Sequence, residues 1–230
     1  MVRGSDTDSS RQHPRKAARA NVAILAALLA ALWFGSSPVV AQTIKIVALG
    51  DSLTAGFGLT ASEAFPAQLE AALRKRGHDV TIVNAGVSGD TSAGGLARLD
   101  WSVPDGTDAV ILVLGANDML RGLDPAQTRK ALDEALRRLK ARKIDVLVGG
   151  MRAAPNMGAE YGGKFDSIYP ELAKEHDALI YAFFLDGVAG QRELNLGDGI
   201  HPTAKGVSLV VERIIPSVES LIERVKKRRG

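Results

Sequence analysis

A serine hydroxyl becomes a nucleophile when a base takes its proton, and that base needs a partner to fix its tautomer. The segment Gly50-Asp51-Ser52-Leu53 offers the hydroxyl, and Asp198-Gly199-Ile200-His201-Pro202 offers both other groups. His201 is the candidate base; Asp198, three residues earlier, is near enough along the chain to orient its imidazole. Acyl transfer also creates an oxyanion, which needs donors already in place. The candidates are the backbone N–H groups of Ser52 and Gly89 and the side-chain amide of Asn117. Gly89 lies in Ser88-Gly89-Asp90, Asn117 in Gly115-Ala116-Asn117-Asp118, and a glycine N–H can approach a substrate closely.

Each of these residues has an ordinary reading when taken alone. Ser52 could cap a helix, Gly89 could serve a plain turn, and Asn117-Asp118 or Asp198-Gly199 could be turn chemistry. His201, before a proline, could sit in a surface loop. His78, after a helix-stopping glycine, and His176, at the end of a polar helix, keep that ordinary reading; His13 lies in the N-terminal leader. What outweighs it for the other segments is their order and their position after predicted strands.

Those strands are short β-branched apolar runs alternating with helical patterns. Ile44–Leu49, Val80–Asn84, Ala109–Leu114, Val146–Val148 and Leu179–Tyr181 read as strands. Ser62–Arg76, a stretch near Thr91–Leu99, Pro125–Arg142, Lys164–His176 (interrupted by Pro170) and Thr203 to about Lys227 read as helices. The alternation predicts an α/β fold: a three-layer α/β/α sandwich on a five-stranded parallel sheet. Ligands of such sheets bind beyond the carboxyl ends of the strands, where the candidate segments fall. Two decoys fail. Gly56-Phe57-Gly58-Leu59-Thr60-Ala61 matches a dinucleotide pattern but starts too far beyond the first strand, and Thr54 breaks the G-x-S-x-G elbow.

Gly50-Asp51-Ser52-Leu53, Ser88-Gly89-Asp90, Gly115-Ala116-Asn117-Asp118 and Asp198-Gly199-Ile200-His201-Pro202 together resemble the four blocks of the SGNH (GDSL) hydrolases. The resemblance covers roughly residues 44–206 and leans to the periplasmic arylesterases and the multifunctional thioesterase I/lysophospholipase group. It implies a flavodoxin-like SGNH fold and hydrolysis of carboxylic esters and thioesters. It implies a triad of Ser52, Asp198 and His201 and an oxyanion hole of Ser52, Gly89 and Asn117. Met151–Gly158 aligns with a substrate-lining loop of the family, which makes Met151, Arg152 and Pro155 candidate substrate contacts. Leu53, Phe57 and Met157 would suit an acyl chain or the core equally well. No metal and no organic cofactor is expected. A carbohydrate O-acetylesterase with the same triad is the alternative, and a non-catalytic binding module the reading from another class.

Residues 1–41 have the order of a secretory signal: basic residues from Arg3 to Arg19, an apolar run Val22–Phe34, and small residues up to Ala41. That run has 13 residues, short of the roughly 20 that span a bilayer, so cleavage after Ala41 is expected rather than an uncleaved anchor. A single hydrolase domain over 42–230 follows, with a periplasmic or secreted location and no stable membrane insertion after cleavage. The leader holds five of the 29 Lys/Arg and two of the 26 Asp/Glu, so residues 42–230 are formally neutral. Nothing in that balance points to nucleic acid; small acyl esters or thioesters are the expected partners. The absence of cysteine excludes a thiol nucleophile and a disulfide scaffold. The basic cluster Arg224–Arg229 is expected to complement the dipole of the last helix and do nothing else.

Overall fold

The computed structural model describes residues 42–230; the expected leader, residues 1–41, and its cleavage after Ala41 lie outside the described residues. Strands and helices alternate as β1 (Ile44–Gly50), α1 (Ser52–Ala55), α2 (Phe65–Lys75), β2 (Val80–Gly86), α3 (Ser92–Ala97), α4 (Leu99–Ser102) and β3 (Ala109–Val113). The chain continues through α5 (Ala116–Leu120), α6 (Pro125–Ala141), β4 (Asp145–Gly149), α7 (Ala159–Asp166), α8 (Ile168–His176), β5 (Leu179–Tyr181) and α9 (Ala204–Arg229). All strand pairs are parallel, in the order β2-β1-β3-β4-β5. Helices α2 and α9 pack together on the sheet, while α6 packs with α3 and α8, so each face carries its own helical layer. The expected three-layer α/β/α sandwich is thus present, with the flavodoxin-like strand order. Connections leave β1 toward β2 on one side and β3 on the other, and a ligand crevice opens at that switch point.

The central strands carry the core. All five side chains of β3, Ala-Val-Ile-Leu-Val, are buried, as a strand covered on both faces requires. Each Val, Ile or Leu so removed from water contributes about 1.5–3 kcal/mol. Helix α6 buries Ala131, Leu132, Ala135, Leu136 and Leu139, a stripe at helical spacing. Helix α9 does the same from Val207 to Val225 and keeps Pro216 on its exposed side.

Three local differences from the sequence pattern have physical causes. The helix expected from Ser62 starts at Phe65, because the Thr60 N–H and hydroxyl both donate to Glu63 Oε2, at 3.0 and 2.8 Å. These bonds hold Thr60–Glu63 as a turn. The helix expected over Lys164–His176 is two helices meeting at Ser167. Pro170 has no N–H to give the carbonyl four residues back, which breaks the ladder there. Helices α1 and α5, of four and five residues, are too short to leave a periodic signal.

The Arg224–Arg229 cluster does more than complement a dipole, which corrects the expectation. Arg229 donates to both carboxylate oxygens of Asp108, at 3.0 and 2.5 Å, and to the Gln42 carbonyl at 2.6 Å. Arg228 reaches the Asp145 carboxylate at 2.8 Å and the Asp108 carbonyl at 3.0 Å. The end of α9 is therefore stapled to the amino-terminal ends of β1, β3 and β4. Asp108 is buried and also accepts the Lys45 N–H at 2.8 Å, so losing the arginine strands a desolvated carboxylate. Arg229→Ala is expected to cost about 2 kcal/mol, read as a lower urea midpoint at constant slope. An unchanged midpoint would contradict the staple.

Candidate active site

Gly50 of β1 pairs in register with Gly86 of β2 and with Val113 of β3, so three strands end level. The residues just beyond those ends are brought together by that register alone. Ser52 opens α1, whose first turn is capped by Asp51: its carboxylate accepts the Leu53 N–H at 3.0 Å. Helix α1 lies flat on the end of β2, where a Cβ at Gly86 would sit 2.2 Å from the Ala55 nitrogen. Only glycine fits that approach.

The fourth segment arrives from the other end of the chain. His201 Nε2 lies 2.8 Å from Ser52 Oγ, and His201 Nδ1 lies 2.7 Å from Asp198 Oδ2. The other Asp198 oxygen accepts the N–H groups of Ile200 and His201, both at 3.0 Å. Bonds from the Ile200 N–H and then from His201 hold the Asp198 carboxyl down at about 2, so it stays an acceptor at neutral pH. Nδ1 must then carry the ring proton, and Nε2 is left to accept from the Ser52 hydroxyl. The loop itself is pinned by the Leu196 N–H to the His201 carbonyl at 2.7 Å and the Thr203 N–H to the Leu194 carbonyl at 2.9 Å.

Around Ser52 stand groups with unused donors. Among the described residues the N–H groups of Ser52 and Gly89 donate to no protein acceptor. Gly89 is third in a turn closed by the Asp90 N–H to the Val87 carbonyl at 3.1 Å, with φ 85°, a backbone setting that glycine takes without strain. Asn117, second in α5, gives one amide hydrogen to Asp51 Oδ2 at 3.2 Å and keeps the other. Arg98 braces this side from within: it donates to the Gly50 carbonyl (2.8 Å), the Ala85 carbonyl (2.9 Å) and the Asp90 carboxylate (2.6 Å).

Ser52, Gly89, Asn117 and His201 line one cleft of about 520 Å³, and Met151, Arg152 and Pro155 line it with them. Asp198 stands behind the imidazole, outside the lining. The wall is mainly apolar, with Leu53, Met119, Leu120, Phe183, Leu185 and Ile200. Phe57 also faces the cleft, half exposed, with its ring 4.5 Å from the His201 ring. Met157 is instead packed against the core. The Arg152 guanidinium lies over the Phe183 ring, 5.1 Å from its centroid. His78 pairs with Glu219 at 3.2 Å and His176 with Asp133 at 2.6 Å, both away from the cleft lining.

Asp51, Arg98 and the Phe183–Leu185 wall escaped the sequence reading. Asp51 lies within the Gly50-Asp51-Ser52-Leu53 block, so its place beside the serine is its sequence signal. Arg98 carries no signal of its burial, and Phe183 and Leu185 follow a strand of only three residues.

The GDSL-like lipase/acylhydrolase family matches this chain over residues 48–209. Esterase TesA of Pseudomonas aeruginosa is 37% identical over 183 residues, 79% of this chain and 90% of its own. Thioesterase 1/protease 1/lysophospholipase L1 of Escherichia coli is 37% identical over 183 residues, 79% of this chain and 86% of its own. Among solved structures, AlinE4, an SGNH-hydrolase family esterase, superposes with a TM-score of 0.67 at 47% identity, covering 78% of this chain and 96% of its own.

One charge next to the serine has a measurable consequence. Burial pushes the Asp51 carboxyl from its ordinary 3.8 up to about 6, against the opposing pull of the Leu53 N–H, the Asn117 amide and the His201 charge. The folded chain therefore binds this proton more tightly than the unfolded one. Its contribution is fully present below pH 4 and is lost as pH rises through about 6, amounting to roughly 3 kcal/mol. Asp51→Asn has no such proton to lose. Its melting temperature relative to wild type is expected to rise between about pH 4 and about pH 8; a difference that stays constant would contradict the buried charge.

Proposed function

The chain belongs to the GDSL-like lipase/acylhydrolase family, and on that premise we propose that it is an exported serine esterase, cleaving apolar acyl esters and thioesters through an acyl-enzyme on Ser52. The observation that carries this reading is the unbroken chain from Ser52 Oγ to His201 to Asp198, at 2.8 and 2.7 Å, facing three unused N–H donors. His201 Nε2 takes the hydroxyl proton as Ser52 Oγ bonds to the carbonyl carbon. The carbonyl oxygen becomes the oxyanion and receives hydrogen bonds from the Ser52 and Gly89 N–H groups and Asn117 Nδ2. Collapse breaks the bond to the leaving alcohol or thiol, which departs with the proton from His201. Water then gives its proton to His201, attacks the acyl carbon, and the acid leaves as the proton returns to Ser52.

The apolar wall favours an acyl chain over a sugar-bound acetyl group, because a polysaccharide would need hydroxyl partners that Leu53, Met119 and Leu185 do not offer. The two relatives, named as an esterase and a thioesterase/lysophospholipase, agree with that preference. Met151, Arg152 and Pro155 are proposed to contact the substrate from the cleft wall. Export is supported by the basic, then apolar, then small-residue order of residues 1–41. Among the described residues no helix is long and apolar enough to cross a membrane.

One preparation tests the whole reading. Full-length chain expressed in a Gram-negative host is expected in the periplasmic fraction with an intact mass beginning at Gln42. It should hydrolyse medium-chain p-nitrophenyl esters and acyl-CoA in preference to acetylated xylan. Ser52→Ala should lower kcat by about 10³-fold or more. A faster reaction on xylan, or full activity without Ser52, would contradict it.

A further inference from the structure

The two oxyanion donors outside Ser52 sit on different elements, Gly89 on the loop after β2 and Asn117 on α5. Strand register brings their backbones near each other, but a catalytic constellation must hold to roughly 0.5 Å. One side chain joins the two directly. Arg121 is one helical turn after Asn117, so both project from the same face of α5. Its Nη2 donates to the Gly89 carbonyl at 2.6 Å, the length of a charge-assisted bond.

The backbone beneath Arg121 is fixed. Its N–H donates to the Asn117 carbonyl at 3.1 Å, the Gly122 N–H to Met119 at 3.0 Å and the Leu123 N–H to Asp118 at 3.0 Å, which closes the helix end. The Asp118 side chain is buried and anchors α5 to α3 and α6: it accepts the Ser92 N–H at 2.7 Å, the Ser92 hydroxyl at 2.5 Å and the Thr128 hydroxyl at 3.1 Å. Arg121, by contrast, is exposed and has no carboxylate within ion-pair distance among the described residues. A long side chain held in one rotamer gives up entropy, about 1.5–2 kcal/mol for arginine, and among the described residues the bond to Gly89 is the one hydrogen bond its guanidinium makes.

We propose that Arg121 is a positioning residue that ties the Gly89 loop to α5 and so keeps the Gly89 N–H in place at the oxyanion. This rests on the oxyanion role given to Gly89 and Asn117 above. The Gly89–Asp90 peptide is gripped at both of its polar atoms, its carbonyl by Arg121 and its N–H by the Val87 carbonyl at 3.1 Å. Without Arg121 the Gly89 carbonyl loses its tie, the loop is left to the Val87 turn and the Asp90–Arg98 pair on its far side, and the Gly89 N–H, which has no protein partner among the described residues, drifts relative to Asn117.

Arg121→Ala in the full-length protein is expected to lower kcat for a p-nitrophenyl ester about tenfold, less than the 10²–10³ that follows removal of a donor, as in Asn117→Ala. KM should stay within about twofold and the melting temperature should not move, because substrate binding and the core do not use this bond. Arg121→Lys, which keeps a cationic donor, should recover most of the loss. The same tenfold drop should persist in the Asn117→Ala background, since Arg121 acts on Gly89. Wild-type kcat in Arg121→Ala beside a crippled Asn117→Ala overturns this inference alone. Wild-type kcat in both overturns the oxyanion reading itself. A drop that vanishes in the Asn117→Ala background, or one that tracks a lower melting temperature with no rescue by lysine, also overturns it.

Discussion

The level ending of β1, β2 and β3, with Gly50 beside both Gly86 and Val113, is the constraint on which the site depends. A slip of one residue in either pairing would move Gly89 or Asn117 about 3.3 Å along the strand and turn its side chains to the other face. The register is held because β1 and β3 are buried almost throughout, and because β2 puts Val80 and Ile82 in the core and leaves Val83 exposed, so a one-residue slip of β2 would exchange the two sets. It is also held at the rim. Arg98 takes the last carbonyl of β1 and the next-to-last of β2 in one guanidinium, and pairs with Asp90 beside Gly89. A mostly buried cation that binds two strand ends and an adjacent acid fixes their relative height at a point where the ladder itself has run out.

The histidine arrives by a different route. His201 stands 149 residues from Ser52, and its position follows from how the loop before α9 is tied. Asn195 is buried and gives its amide to the Val188 and Gln191 carbonyls, at 2.7 and 2.8 Å; next to it, Leu196 and Leu194 bond the backbone of His201 and Thr203. Thr203 then caps α9 through the Gly206 N–H at 3.2 Å. The far end of α9 is stapled by Arg228 and Arg229 to the opposite, amino-terminal end of the sheet. Reactivity at Ser52 and the docking of the last helix are therefore one structural fact: a helix that lifted from the sheet would carry the base away with it.

Much of this is legible in the sequence. Strands β1 and β3 show nearly unbroken apolar runs, α6 and α9 show helical spacing, and the four polar blocks fall where strands end. Met151, Arg152 and Pro155 line the cleft. What stayed hidden is what depends on partners distant in sequence. Arg98 and Arg121 look like any surface arginines until their carbonyl acceptors are known, and Arg229 looks like part of a basic tail until Asp108 is seen beneath it. Asp51 was visible in its block, but its cost of burial is a property of the packed site. Met157 reads like a cleft residue by type but is partly buried against the core by position.

The central claim is that Ser52 carries the acyl group between the two halves of the reaction. It is tested most directly by quenching a steady-state reaction on a p-nitrophenyl ester in acid and mapping the acylated peptide by mass spectrometry. The account predicts one acyl adduct, on Ser52, that disappears as substrate is exhausted. An adduct on another residue, or one that outlasts the substrate, would contradict it.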